Sequence, residues 1–139
     1  MEIDPHSGEQ PNGNPAFRPG QKHYYGDVSR KLFLAGGILM IVFAPVYPDL
    51  LPVNNLFVVT GAVLLSIFAG VTNPKQFWVN VLDVIIAALS FLIFEAAIFQ
   101  VYGTLEWFSL EFLVRQSIPV VFFFALYFSS KTVRGMLVR

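Results

Sequence analysis

The sequence predicts an all-α fold, an integral membrane four-helix bundle, from three observations. Of 139 residues, 55% are hydrophobic and only 13% charged, with a mean hydropathy of +0.63. That is too little polar surface for a water-soluble domain of this size. The apolar residues gather into four blocks of roughly 20 residues, the length a helix needs to cross ~30 Å of hydrocarbon with all its backbone groups paired internally. Short turns rich in Pro, Asn, Gly and charge separate the blocks.

Residues 1–26 carry no apolar period and are crowded with Pro, Gly and Asn, which predicts a disordered cytoplasmic tail ahead of a transmembrane domain at 27–139. A signal peptide would place an apolar core here and follow it with a small-residue cleavage site, and neither is present. His23, Tyr24 and Tyr25 read as an interfacial anchor.

The first helix is expected at about 28–46, with Asp27 capping it and Pro45 and Pro48 ending or kinking it. Ala35, Gly36 and Gly37 make a notch where a neighbour can approach closely. The second helix, about 55–71, places Ala62, Ser66 and Gly70 four residues apart on one stripe, the usual packing seam in lipid. The third, about 74–102, has Asn73 and Pro74 at its start and Gly103 to close it in a left-handed conformation. At about 43 Å it exceeds the bilayer and must tilt or protrude. The fourth, about 109–130, contains Pro119, which is expected to kink it.

Orientation follows from the cations. Arg18, Lys22, Arg30 and Lys31 precede the first helix, Lys75 lies between the second and third, and Lys131, Arg134 and Arg139 follow the fourth. The opposite turns, 47–55 and 103–108, contain no Lys or Arg, so both termini are expected on the cytoplasmic side of a bacterial-type inner membrane.

Three charges lie deep in apolar sequence: Asp83, Glu95 and Arg115. Glu95 and Arg115 are each about 9 to 10 Å from the outer ends of their helices. An isolated charge in lipid costs roughly 2.5 to 3.5 kcal/mol on the insertion scales, so an ion pair between them is expected. Glu111, four residues before Arg115 in the favourable acid-first order, competes for the same guanidinium, and Arg115 could instead snorkel to the surface. These charges read as structural glue or, alternatively, as a pathway. Asp83 shares a helical face with Asn80, Ala87 and Ser90, and depth places Tyr127 opposite, making a cytoplasmic-side polar patch of Asn80, Asp83, Ser90 and Tyr127. About 18 Å of helix separates Asp83 from Glu95, too far for a catalytic carboxylate pair.

Several chemistries are excluded. Cysteine is absent, which removes thiol redox chemistry, and both histidines, His6 and His23, belong to the tail, so no metal or haem ligand and no cofactor is expected in the membrane. No phosphate loop or nucleophile motif appears, so no enzyme is expected. The net charge of zero gives no reason to expect nucleic acid. The expected partners are membrane lipid and either a second copy or a larger membrane complex. The expectation is a structural or interaction protein. The alternative is a small oligomeric channel or transporter for an ion or small solute, using Asp83, Glu95 and Arg115.

Overall fold

A computed structural model describes residues 25–71 and 76–138. They form four helices, α1 (Gly26–Phe43), α2 (Asn55–Val71), α3 (Phe77–Val101) and α4 (Leu110–Leu137), with no strand among the described residues. The tail assigned to 1–26 lies outside the described residues except for Tyr25 and Gly26. The expected caps Asn73 and Pro74 lie outside them too.

Phe122 of α4 is the hub of the core. It is fully buried, stacked on Phe94 of α3 at a ring distance of 6.0 Å and tilted against Phe33 of α1 at 6.2 Å. Gly36 lies beneath its ring, where an added Cβ would meet Cζ at 2.9 Å. The next residue, Gly37, faces α2 instead, where a Cβ would meet Ser66 Oγ at 2.6 Å and the Ala62 carbonyl at 3.2 Å. Two adjacent glycines thus admit two different neighbours to α1, and the seam residues Ala62 and Ser66 are used inside the chain. Gly70 is not part of that contact. A Cβ there meets nothing within 4 Å, and its carbonyl accepts a hydrogen bond from Arg30 Nη2 at 2.7 Å, beside the Arg30 Nε bond to the Ala69 carbonyl.

These contacts arrange the helices as a row, α2–α1–α4–α3, with each neighbouring pair antiparallel and α1 and α3 just meeting. α2 touches neither α3 nor α4, so the four helices do not close into a bundle. Leu50 and Leu51, in the loop after α1, are buried in the same core as Phe122, so this loop folds over the end of the row rather than lying free on its surface.

Several helix boundaries differ from expectation. α1 starts one residue before Asp27, which sits in the first turn while Tyr25 holds the capping position without a side-chain bond. It stops at Phe43, before Pro45, in turns closed by Val46 and Tyr47 amides on the Phe43 carbonyl. Gln76, in extended backbone, occupies the capping position of α3. Gly103 is not left-handed. Tyr102 remains in right-handed helical conformation, and the Val101 carbonyl is satisfied by the Thr104 and Leu105 amides and the Thr104 hydroxyl. Phe108 has the positive φ instead, at 66°.

α4 runs seven residues past the expected end, because its last two turns are amphipathic. Thr132 and Met136 are buried, while Arg134 in the last turn favours the negative end of the helix dipole. Ser109 caps its start by accepting from the Phe112 amide at 3.2 Å.

α3 and α4 are long and apolar enough to cross a membrane. Only 22% and 33% of their most apolar stretches are buried, so the protein's own core does not account for that apolar surface. α2 is apolar but shorter, and α1 carries Asp27, Arg30 and Lys31 in its first two turns.

Candidate functional site

The six buried polar or charged side chains among the described residues sit at the two ends of the row. At one end is Arg115. It is only 3% exposed, although its partner Asp49 is 74% exposed. Its Nε and Nη2 both donate to Glu111 Oε1, at 3.0 and 2.8 Å, while Nη2 also reaches Asp49 Oδ1 at 2.9 Å. Nη1 donates to the Asp49 carbonyl at 3.0 Å, and the guanidinium lies 5.7 Å from the centre of the Tyr47 ring. Arg115 therefore clamps the loop between α1 and α2 onto the start of α4.

The expected ion pair between Glu95 and Arg115 is not formed. Glu95 Oε1 instead accepts from Gln116 Nε2 at 2.9 Å. Neither the depth nor the face matches: Phe94 packs on Phe122, which puts Glu95 level with Val121, six residues or about 9 Å of helix from Arg115. Adjacent residues on a helix point about 100° apart, so Gln116 faces α3 while Arg115 faces the loop. The partner that sequence reasoning missed is Asp49, the one acid in the opposite turn on the same side as Arg115. Glu95 also lines a shallow groove of about 640 Å³ with Leu92, Ala96, Phe99 and Gln100, all on the outer surface of α3.

At the other end, Ser29, Asn80, Asp83, Ser129 and Thr132 are buried where α1 and α3 begin and α4 ends. Ser129 Oγ donates to Ser29 Oγ at 2.9 Å. Thr132 Oγ1 accepts from the Tyr25 amide and donates to the Phe128 carbonyl, each at 2.9 Å. Asn80 Nδ2 donates to the Gln76 carbonyl at 2.9 Å and lies 4.0 Å from Met136 Sδ. Asp83 is 5% exposed, and among the described residues no donor reaches its carboxyl group.

The pairs Asn80–Met136 and Phe94–Phe122 fix an antiparallel register in which Asp83 is level with Val133. Tyr127, expected opposite Asp83, lies elsewhere. It is 51% exposed, packed edge-on to Phe128 at 5.2 Å and capped by Lys131 at 5.7 Å. Ser90 is half-buried two turns deeper on α3. The buried polar residues at this end are therefore Asn80 and Asp83 on α3 with Ser29, Ser129 and Thr132 on α1 and α4, the last three carrying small hydroxyls that gave no charge signal in the sequence.

Chemically, the first end holds a guanidinium shared by two carboxylates, and the second holds a buried carboxyl group on the same end of the helices as three buried hydroxyls and one buried amide. No group of three or more His, Asp or Glu placed to hold a metal ion occurs among the described residues. Comparison with protein-family models, with curated proteins and with solved structures finds no match.

Proposed function

We propose that this chain is an integral protein of a bacterial-type inner membrane that crosses four times, keeps both termini in the cytoplasm and acts by associating with a second copy of itself. The observation that carries this reading is the position of α2, which among the four described helices packs on α1 and on neither α3 nor α4. Its other faces present Leu56, Phe57, Val63, Leu64 and Ile67 to the surroundings, and no described residue lies within 4 Å of a Cβ placed on Gly61 or Gly70. Apolar side chains gain nothing by leaving lipid, so helices associate where small residues allow close approach. α1 and α2, at about 27 and 26 Å, are near the lower limit for a crossing. Leu50 and Leu51, folded over their shared end, extend the apolar layer there. No catalytic step is part of this reading.

The test is the oligomer size of the protein in lipid nanodiscs, measured for the parent and for Gly61→Phe and Gly70→Phe. Among the described residues a Cβ at either position meets nothing within 4 Å, so both variants are expected to keep the parent's thermal stability while losing the dimer. A monomeric parent, or variants of unchanged size, would count against self-association through α2.

A second reading, a channel or transporter for an ion or small solute, is favoured by Asp83, a buried carboxyl group that no donor reaches among the described residues. Flux in proteoliposomes that is lost in Asp83→Asn, with the fold retained, would support it. Equal flux in both proteins would remove it.

A further inference from the structure

Lys131 and Arg134 lie on the outer surface of α4, and among the described residues neither has a carboxylate partner. They stand at the mouth of a groove of about 420 Å³ whose remaining lining is Phe123, Leu126, Tyr127 and Ser130. Phe123, Tyr127, Ser130 and Arg134 recur at intervals of four, three and four residues. That spacing places them on one stripe of the helix. The stripe changes from apolar to hydroxyl-bearing to cationic toward the end of α4. From Phe123 to Arg134 it measures about 16 Å of helix, close to the ~15 Å hydrocarbon depth of one leaflet. Lys131 is held in place by two rings, its ammonium 4.9 Å from the centre of Tyr25 and 5.7 Å from that of Tyr127.

We propose that this groove is a binding site for an anionic phospholipid, with Lys131, Arg134 and the Ser130 hydroxyl taking the phosphate headgroup and Phe123, Leu126 and Tyr127 lining the path of an acyl chain. The charge gradient along the stripe selects this occupant. Two cations with no carboxylate partner among the described residues attract an anion, and a guanidinium matches phosphate oxygens in bidentate geometry. A free inorganic phosphate would leave the apolar half of the groove, Phe123, Leu126 and Tyr127, unused. The inference rests on α4 crossing the membrane.

The test is lipid retention by native mass spectrometry after the full chain is released from nanodiscs of equal parts phosphatidylcholine and phosphatidylglycerol. The parent is expected to retain phosphatidylglycerol preferentially. Lys131→Gln and Arg134→Gln are each expected to lower that preference about fivefold, and the pair about thirtyfold, since each cation near an anionic surface contributes on the order of 1 kcal/mol. Phe123→Ala is expected to weaken retention without changing headgroup preference. Helix content by circular dichroism checks the fold of each variant.

Retention without headgroup preference in the parent would overturn the site, as would an undiminished preference in the double variant. Displacement by millimolar inorganic phosphate would show an anion site with no acyl requirement and would also overturn it. Failure of the parent to enter nanodiscs at all would remove the membrane reading itself, and is distinguishable from all of these.

Discussion

Glu95 accepts a 2.9 Å hydrogen bond from Gln116, the residue next to the arginine whose charge would have neutralised it. Neutral Gln116 thus joins α3 to α4, while Arg115 is occupied by Asp49 and Glu111. Interhelical hydrogen bonds in membranes average ≈0.6 kcal/mol and reach about 1.7. A cycle of Glu95→Met, Gln116→Met and the double variant is expected to give a coupling in that range, measured by unfolding in mixed detergent. Glu95→Gln keeps an acceptor in place and is expected to cost less than Gln116→Met. Zero coupling would mean that the bond does not tie α3 to α4.

Arg115 and Asp49 should respond very differently to substitution. Asp49 is well exposed, so its charge is screened, and its carbonyl continues to accept from Nη1 after the side chain is neutralised. Asp49→Asn is expected to cost under about 1 kcal/mol. Removing the buried guanidinium in Arg115→Met removes four hydrogen bonds, two to Asp49 in the loop and two to Glu111 on α4, and such losses typically cost about 3 to 5 kcal/mol. Partly hydrated Glu111 and Asp49 soften this, so about 2 to 3 kcal/mol is expected in thermal unfolding. Similar costs for the two variants would show that Arg115 does not anchor the loop.

How much of this was legible follows from what fixes each feature. The four helices and their antiparallel order were readable, because apolar blocks and punctuating Pro, Asn and Gly are local signals. The rotation of each helix about its axis was not. α3 is apolar all round, with Leu82, Ile85, Leu89, Leu92 and Phe99 outside and Val79, Ala87, Phe94 and Ile98 inside. Without a polar face, sequence spacing cannot say whether Arg115 or Gln116 meets Glu95. The end of α4 was missed for the opposite reason. There Thr132 and Met136 do alternate with Lys131 and Arg134, but a search for apolar length passes over an amphipathic turn. The row arrangement depends on Gly36 and Gly37 serving different neighbours, a distinction of one residue within a notch that was itself visible.

Gly37 gives the sharpest packing test. An added methyl would contact Ser66 Oγ at 2.6 Å and the Ala62 carbonyl at 3.2 Å, and Ser66 is already committed to that carbonyl at 2.9 Å. Overpacking of this kind costs about 1 to 3 kcal/mol, against the roughly 1 kcal/mol that alanine gains over glycine in a helix. Gly37→Ala is therefore expected to destabilise the α1–α2 contact by up to about 2 kcal/mol. Ser66→Ala removes the nearer obstacle, so the double variant is expected to recover part of the loss. Additive effects in thermal unfolding would show that Gly37 and Ser66 are not in contact.

Asp83 offers the test that separates structural from functional polarity. Its carboxyl group is buried at the end shared by α1, α3 and α4 and accepts no hydrogen bond among the described residues, whereas Ser29, Ser129 and Thr132 are bonded to one another or to backbone. A polar group buried without a partner costs roughly 1 to 3 kcal/mol in proteins, and the carboxyl oxygens of Asp83, which are not fully sealed from the surroundings, carry the lower part of that range. Asp83→Leu, similar in size and free of that cost, is expected to raise stability by about 1 to 2 kcal/mol. Ser129→Ala, which breaks a made bond, should lower it by about 1 kcal/mol. A residue retained at the expense of stability points to use rather than support. Paired with the flux assay, stabilisation with loss of flux would assign Asp83 to transport. Stabilisation without any flux in the parent would leave association as the working function, and destabilisation by leucine would show that Asp83 holds the helix ends together.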